Sequence, residues 1–348
     1  MTHRLAIIII NYNNWEDTLE CIASLQKSEY KEFDIILIDN HSQNASVKNI
    51  NDWITESRLI KIGPVDVENV PLNFQIINER EVEKKKNNQP VNTILFIRND
   101  SNRGFAGASN QGIQMATEQG YDTILLLNND TTVHPRSLGL LINFLWTDPQ
   151  YSIITPKINY YKKPDKIWNC GGNLTWIGSR KYFTEKNLKL KYMNGKIISV
   201  SFVTGCALMA KTDLFQKIGS FTEKFFFGEE DYELSLRIKK YQLKMACVMD
   251  SIIYHKIGGS EKLTFKKDRL AKTYIYYLSR FINLRSYYST FHWEIWRILS
   301  FFYILPLIAI KYHLSILSLV RFSRLLFTNS KKCNSVTSDM FVESTRLF

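Results

Sequence analysis

The chain has 348 residues, of which 45% are hydrophobic and 22% are charged, a composition that excludes a disordered chain and allows a sizeable core. The formal net charge is +12, and residues 261–348 hold 14 Lys and Arg against 5 Asp and Glu, so most of the excess lies at one end. The five cysteines are scattered without CxxC or zinc-finger spacing, which argues against a disulfide framework and favours reduced thiols in the cytoplasm.

The first 130 residues alternate between predicted strands and predicted helices. Four short aliphatic runs, each typical of a strand buried in a parallel sheet, occupy residues 5–10, 33–39, 93–97 and 123–128. The first run is six residues long and continues into the polar Asn11, so it predicts a strand and not a secretory signal. Together with the helical spacing between the runs, this predicts a doubly wound α/β half-domain.

The pattern changes in the rest of the chain. Residues 58–92 are polar and interrupt the alternation, which predicts an insertion with a mobile tip. From Tyr151, short apolar pieces alternate with glycine and aromatic residues. This pattern favours the irregular half of a mixed domain, one that binds an acceptor substrate. Helices are predicted from Thr212 or Asp213 to Gly219, from near Glu230, and from about residue 260 to near residue 328, with a polar tail beyond. We therefore predict a domain of residues 1–260 and a basic, apolar helical region of residues 261–348.

A nicotinamide-dependent dehydrogenase is one alternative for a sheet of this kind. Its fingerprint is GxGxxG directly after the first strand. Here the first strand is followed by Asn11-Tyr12-Asn13-Asn14, and the glycine loop of residues 104–107 follows the third strand instead. Hydride transfer is therefore not expected.

Eight short segments, taken in order, resemble the family 2 glycosyltransferases, and among them the bacterial rhamnosyltransferase-like members. They are residues 7–13 (IIIINYN), 38–42 (IDNHS), 102–112 (NRGFAGASNQG), 127–130 (LNND), 204–209 (TGCALM), 218–226 (IGSFTEKFF), 230–237 (EDYELSLR) and 255–260 (HKIGGS). The resemblance implies the GT-A fold, a doubly wound mixed sheet that binds a nucleotide-diphosphate sugar. It also implies transfer with inversion at the anomeric carbon.

The donor nucleotide is expected at the carboxyl edge of the sheet. Asp39 ends the second predicted strand at that edge, where nucleotides bind in open α/β folds. By resemblance, Asp39 contacts the base, and Asn11 and Tyr12 line the same pocket. The alternative is that Asp39 and Asn40 only form a turn.

The glycine loop is the second part of the expected donor site. Gly104 lets the backbone approach a ligand, and the start of the following helix offers free N–H groups. Asn102 and Asn110 are candidates for binding ribose or sugar hydroxyls. Asn128 is a further candidate, since an amide can face the ribose or a metal-bound water.

Asp130 is the clearest candidate for a metal ligand, because a divalent ion such as Mn²⁺ or Mg²⁺ neutralises the diphosphate leaving group. The usual motif of the family has two acids around one residue, and this chain has Asn128 in place of the first. By resemblance, His255 completes the metal shell. A packed or surface histidine is the alternative for His255.

Asp231 is the expected catalytic base. Displacement with inversion needs a carboxylate within hydrogen-bond reach of the acceptor hydroxyl. By resemblance, the aspartate of the Glu230-Asp231 pair takes that proton, and Glu230 orients it or binds the acceptor. The alternative is an acidic first helical turn that is favourable with the helix dipole.

The basic C-terminal quarter favours a membrane surface. Its most apolar run, residues 298–310, is thirteen residues long and contains Pro306, whereas a spanning helix needs about 20 residues. Basic residues beside apolar helices are attracted to an anionic leaflet, so we predict a cytoplasmic protein held on the inner face of the cell membrane. No nucleic-acid-binding motif accompanies the charge. Pairing of two copies through the terminal helices is the other use of this region.

These features predict a metal-dependent, inverting glycosyltransferase. The expected reaction moves one sugar from a nucleotide-diphosphate sugar to a hydroxyl of a glycan or lipid-linked acceptor, in bacterial surface polysaccharide synthesis. One alternative is a catalytically degenerate member that binds nucleotide sugar or glycan, which Asn128 favours. The other is a nucleotidyltransferase, for which a basic glycine-rich loop after the first strand would be expected.

Overall fold

An eleven-stranded mixed sheet organises the protein. The computed structural model describes residues 3–56, 60–62, 65–67, 73–78, 92–175, 177–185, 188, 196–226, 228–257 and 266–347. The strand order along the sheet is β13-β15-β9-β14-β7-β1-β2-β6-β5, and β10 and β8 pair with β9 and β15 outside this path. The strands of this sheet are β1 Leu5–Asn11, β2 Phe33–Asp39, β5 Asn73–Asn78, β6 Thr93–Arg98, β7 Thr123–Asn128, β8 Thr131–Val133, β9 Tyr151–Tyr160, β10 Lys163–Asn169, β13 Ile197–Val200, β14 Ala207–Lys211 and β15 Lys244–His255.

The parallel half of the sheet is covered by helices on both faces. The helices are α1 Trp15–Gln26, α2 Ser46–Glu56, α3 Gly104–Glu118 and α4 Ser137–Thr147. Along β1, Ile8 packs in one core layer with Ile113 of α3, whereas Ile7 and Ile9 pack in the other with Leu19 of α1. Burial on both faces is the reason that these strands read as unbroken aliphatic runs. The four predicted strands are found.

The predicted insertion of residues 58–92 contributes a strand to the main sheet. Asn73–Asn78 (β5) pairs in parallel with β6 from Asn73 opposite Thr93 to Asn78 opposite Arg98. Two further strands, β3 Ile60–Ile62 and β4 Val65–Val67, form an antiparallel pair. The sequence did not predict strand β5, whose residues 73–78 continue the main sheet. The predicted mobile tip, residues 81–88, lies outside the described residues.

The second half of the sheet is mixed. β14 runs antiparallel to β7 and β9, while β15 runs parallel to β9. A two-stranded hairpin of β11 Gly172–Leu174 and β12 Arg180–Tyr182 stands apart from the main sheet. Helix α5, Thr212–Ile218, ends at Gly219 with φ +83°, as the predicted terminating glycine requires, and helix α6 covers Glu230–Lys240.

Four helices follow residue 265 and share their own core. They are α7 Lys266–Arg285, α8 Thr290–Tyr312, α9 Ile316–Lys332 and α10 Ser338–Leu347. The apolar run of residues 298–310 is part of the 23-residue α8. A polar tail was predicted beyond residue 328, and that was wrong for Ser338–Leu347, which form α10. Among the described residues, α8 is the one helix long and apolar enough to cross a bilayer by length and composition, and 28% of its most apolar window is buried.

Gly112 of α3 tests the packing of that helix on the sheet, and Gly139 of α4 serves as the comparison. A Cβ at Gly112 would lie 2.5 Å from Ile8 Cγ2, whereas one at Gly139 of α4 would meet its nearest atom at 3.9 Å. We expect Gly112→Ala to lower the free energy of unfolding by about 1–3 kcal/mol through overpacking. Gly139→Ala should raise it by up to about 1 kcal/mol through helix propensity. Urea unfolding of both variants measures the two signs, and a neutral Gly112→Ala would contradict the packing described.

Candidate active site

The ends of three neighbouring strands bring together residues that are distant in the sequence. Asn11 at the end of β1 lies opposite Asp39 at the end of β2, and Ile10 lies opposite Asn128 at the end of β7. The strands are parallel, so all three polar residues lie at one carboxyl edge. This edge is where ligands bind in open α/β sheets.

Asp39 is buried, and its carboxylate accepts several hydrogen bonds. Asn11 Nδ2 donates to Oδ2 at 2.7 Å, Ser42 Oγ donates to the same oxygen at 2.6 Å, and the Ser42 amide donates to Oδ1 at 2.9 Å. Asn11 in turn accepts from Thr18 Oγ1 at 2.8 Å. These bonds fix the ends of β1 and β2 together. Tyr12, 43% exposed, stands beside them at the same edge.

Asn40 holds the glycine loop against the sheet, a role that the sequence did not reveal. Its Nδ2 donates to Asn102 Oδ1 at 3.0 Å and to the Gly104 carbonyl at 3.2 Å, and its Oδ1 accepts from the Arg103 amide at 3.0 Å. Gly104 has φ +68°, and a Cβ there would lie 3.0 Å from the carbonyl oxygen of Phe226. The loop is thus confined to one conformation, which glycine alone adopts without strain.

Asn110 has a different environment from the other predicted donor residues. Its Nδ2 donates to the Phe221 carbonyl at 2.9 Å and to Glu223 Oε1 at 2.8 Å, and its Oδ1 accepts from the Phe221 amide at 2.8 Å. Both ends of the amide therefore tie α3 to the segment after α5. Its contact with a ligand stays a prediction.

Asp130 and His255 face each other beside the end of β7. His255 Nε2 lies 3.1 Å from Asp130 Oδ1, and both side chains are 9% exposed. Asp130 Oδ1 and His255 Nδ1 are buried atoms without a hydrogen-bond partner among the described residues. The pairing of β15 with β8 holds His255 beside Asp130. His255 lies opposite Thr131, and the Lys256 amide donates to the Asp130 carbonyl at 2.9 Å.

This pair fits two ligands of a divalent cation. Ligands about 2.1 Å from an octahedrally coordinated ion lie about 3 Å from each other, the separation found between Asp130 and His255. Within the part of the chain that is described, no group of three or more His, Cys, Asp or Glu residues has the geometry to hold a metal. Diphosphate oxygens and water would have to supply the remaining positions.

A basic cleft adjoins the Asp130–His255 pair. It has a volume of about 1040 Å³ and is lined by His255 together with Lys162, Lys163 and Lys256. Lys256 forms ion pairs with Asp17 and Glu20 of α1, which join the end of β15 to the start of the chain. The cleft thus gives solvent access to His255 from a side that carries positive charge.

Asp231, in the first turn of α6, is close to both the sheet edge and the glycine loop. Its Oδ2 accepts from the Gly205 amide at 3.4 Å, and a Cβ at Gly205 would lie 3.2 Å from the Phe105 ring and 4.0 Å from Asp231 Cβ. The neighbouring Cys206 accepts a hydrogen bond from the Asn128 amide at 2.8 Å. Gly205 and Cys206, just before β14, therefore lie between Asp231 and the backbone of Asn128, two residues before Asp130.

Arg180 of β12 is the partner of Asp231 that sequence reasoning missed. Its Nη1 donates to Asp231 Oδ1 at 2.8 Å, and the two side chains are 15% and 13% exposed. The guanidinium also packs against the rings of Tyr182 and Phe202. A lone arginine in an irregular stretch carries no motif, so nothing in the sequence singled it out.

Glu230 is buried beside Asp231. Its Oε2 accepts from the Gly228 and Glu229 amides at 2.8 and 2.9 Å. Burial, followed by the charge of Asp231, raises the pKa of the Glu230 carboxyl from 4.5 to about 7. The site thus contains one carboxyl that titrates near neutrality next to a second carboxylate paired with arginine.

The fold and site described here have counterparts among known proteins. A sequence model described as glycosyltransferase-like family 2 matches residues 79–272, more than half of the chain, and a second, glycosyl transferase family 2, matches residues 6–64. The chain therefore belongs to the family 2 glycosyltransferases, as predicted.

Two curated relatives are similar to part of the chain. The dTDP-rhamnosyl transferase RfbF of Shigella flexneri is 24% identical over 216 residues, which cover 62% of this chain and 67% of that protein. The low-salt glycan biosynthesis hexosyltransferase Agl10 of Haloferax volcanii is 25% identical over 171 residues, 46% of this chain. The chain spans about half, 51%, of the length of Agl10.

A solved structure shares the fold. The crystal structure of GalNAc-T7 with UDP, GalNAc and Mn²⁺ superposes with a TM-score of 0.53 over 85% of this chain and 54% of that chain, at 16% identity. The predicted GT-A fold is confirmed. At this identity the likeness extends to the fold alone.

The raised pKa of Glu230 makes the free energy of unfolding depend on pH in a direction that can be measured. Between pH 4.5 and 7 the folded protein keeps a proton that the unfolded chain loses, so this group's contribution to stability falls as pH rises through that window. Glu230→Gln removes the effect and keeps an acceptor for the two amides. We expect the variant to gain stability relative to wild type between pH 4.5 and 7, by about 1.4 kcal/mol for each unit of pKa difference.

Urea unfolding of both proteins at pH 5 and pH 8 measures this gain. Glu16→Gln is the matched control, since Glu16 is an exposed acid in the first turn of α1. A difference between wild type and Glu230→Gln that is the same at both pH values would contradict the burial argument.

Proposed function

We propose that the protein is a metal-assisted, inverting glycosyltransferase. It transfers one sugar from a nucleotide-diphosphate sugar to a hydroxyl of a lipid-linked glycan acceptor, in the synthesis of a bacterial surface polysaccharide. The observation that carries the proposal is the position of Gly205 and Cys206, which contact Asp231, Phe105 of the glycine loop and the backbone of Asn128, two residues before Asp130. Family membership supports sugar transfer, and the resemblance of the motifs supports inversion.

In this proposal the donor nucleotide lies over the ends of β1 and β2. Asp39 receives the base, while Asn11 and Tyr12 line the same pocket. The glycine loop, held by Asn40, lies against the ribose and the sugar, with Gly104 allowing the close approach and Asn102 and Asn128 facing hydroxyls. Asn102 Oδ1 already accepts from the Gly104 amide at 2.9 Å, so its Nδ2 is the group that contacts the donor.

Asp130 and His255 hold the divalent cation in the proposed site. The cation, when bound, neutralises the diphosphate leaving group. Asn128 supplies an amide where the family pattern has an acid, so the protein contributes one carboxylate and one imidazole. The unpartnered Asp130 Oδ1 and its 3.1 Å separation from His255 Nε2 support this role.

Asp231 accepts the proton of the acceptor hydroxyl in the proposed reaction. Its Oδ1 is engaged by Arg180 and its Oδ2 has one long contact, with the Gly205 amide at 3.4 Å. Oδ2 is therefore the oxygen available to the hydroxyl. Glu230 anchors the turn before α6 through the Gly228 and Glu229 amides and so positions Asp231.

The ion pair between Arg180 and Asp231 favours one competing function. The Arg180 guanidinium occupies Asp231 Oδ1, so that oxygen is not available to accept a proton. A member that binds nucleotide sugar or glycan without transfer would share the donor site and this ion pair. A measurement of turnover distinguishes sugar transfer from binding without transfer.

The C-terminal helices place the enzyme on a membrane surface in our proposal, with residues 1–260 as the catalytic domain. One side of α8 is buried, including Arg297 and Ile304, while Phe291, Phe302 and Ile310 of the same helix are 72%, 76% and 73% exposed. A helix with one side packed on protein and an apolar side exposed is suited to lying along a membrane surface. The basic residues of the region favour an anionic leaflet.

The donor and metal roles are tested together by calorimetry with a panel of UDP-, dTDP- and GDP-sugars, with and without Mn²⁺. We expect wild type to bind one donor class, and Asp130→Ala to bind it at least about tenfold more weakly because the diphosphate charge is no longer neutralised through the cation. Asp250→Ala removes an exposed acid from the same strand as His255 and should bind as wild type does. Absence of binding across the whole panel would overturn the proposal.

The base is tested by turnover with the donor identified in that panel. We expect Asp231→Asn to lower kcat by about 10²–10⁴-fold, because proton transfer from the acceptor is lost, with donor affinity unchanged. Asp213→Asn is the matched control, since Asp213 is an exposed acid in the first turn of α5. If wild type binds the donor but transfers nothing to any acceptor, the binding function is the correct one.

A further inference from the structure

A second pocket lies between the β11–β12 hairpin and helices α7 and α8. Its volume is about 220 Å³, and its wall is largely aromatic and aliphatic, with Ile177, Tyr276, Tyr277, Trp296, Leu299 and Tyr303 contributing. A wall of this composition favours a hydrocarbon ligand and offers few partners for the hydroxyls of a sugar.

One buried cation also lines this pocket. Arg280 is 3% exposed; its Nε donates to Glu229 at 2.6 Å and its Nη1 to the Gly178 carbonyl at 2.7 Å. Its Nη2 is buried and has no hydrogen-bond partner among the described residues. An unsatisfied guanidinium N–H in an apolar pocket is costly, and a ligand oxygen would relieve that cost.

The pocket opens onto the exposed apolar face of α8. Leu299 and Tyr303 line it, yet they are 60% and 52% exposed. Ile298 and Phe302, 49% and 76% exposed, continue the same face. A hydrocarbon chain lying against this face can therefore enter the pocket without crossing a polar rim.

The pocket and Asp231 share their supports. Arg180, the partner of Asp231, directly follows the 177–179 turn that forms one wall of the pocket. Arg280 binds Glu229, which directly precedes Glu230 and Asp231 in the chain. A ligand head at Arg280 would thus be linked through Glu229 to the turn that carries the residue that we propose as base.

We propose that this pocket binds the lipid of the acceptor, a hydrocarbon chain that carries a phosphate. The chain packs against Trp296 and Leu299, and a phosphate oxygen accepts a hydrogen bond from Arg280 Nη2. The sugar beyond the phosphate then extends to Asp231. The inference rests on the proposed function for its last step only, since the pocket and its ligand are tested without any transfer.

Binding of radiolabelled farnesyl phosphate, below its critical micelle concentration, is measured by equilibrium dialysis. Leu299→Trp fills the pocket from a half-exposed position and leaves Arg280 and its partners in place. Leu307→Trp is the matched control, since Leu307 is 49% exposed on α8 and does not line the pocket. We expect one saturable site in wild type and Leu307→Trp, and binding at least about tenfold weaker in Leu299→Trp.

Farnesol, which lacks the phosphate, is the second probe. It should bind at least about tenfold more weakly than farnesyl phosphate, because a hydrogen bond to a charged oxygen contributes about that factor. Equal binding of the two probes, or equal binding by both tryptophan variants, overturns the assignment.

The nucleotide-sugar panel, run on the same proteins, separates the two proposals. Donor binding without farnesyl phosphate binding overturns the lipid site alone. Farnesyl phosphate binding without any donor binding overturns the proposed function and leaves the lipid site standing.

Discussion

The antiparallel pairing of β14 with β7 is the contact on which the candidate site depends. It sets Ala207 opposite Leu127 and joins the Asn128 amide to the Cys206 carbonyl, so the segment before β14 lies beside the acidic end of β7. Gly205 then contacts both Phe105 of the glycine loop and Asp231 of α6. A shift of one residue in this register would turn the side chains of β14 to the opposite faces of the sheet and displace Gly205 from Phe105 and Asp231.

Three acids near the site each lie beside a basic side chain. Glu229 is bound by Arg280, Asp231 by Arg180, and Asp130 lies beside His255. Removing water from a charge is costly unless hydrogen bonds or an opposite charge replace it, and these pairs offset that cost. Glu230 accepts hydrogen bonds from the Gly228 and Glu229 amides, and burial, followed by the charge of Asp231, raises its pKa.

The sequence predicted the parallel strands and the family because both depend on local patterns. Aliphatic runs mark strands that are buried on both faces, and eight ordered motifs identify the family without any knowledge of contacts. The supports of the site were missed for the opposite reason. Arg180 and Arg280 are single residues whose partners lie 51 positions away, and Asn40 joins a loop 62 positions away.

The strand order also affects how the protein forms during synthesis. β9 leaves the ribosome before β14, yet it joins the sheet through β14, which pairs with both β7 and β9. Until residue 211 has emerged, β7 has an unpaired edge of apolar residues, Ile124 to Leu127. Such an edge is a template for pairing with other chains. In the nascent chain, docking of β14 on β7 therefore competes with aggregation through this edge. Slow translation between β7 and β14 would prolong the time for which the edge is unpaired.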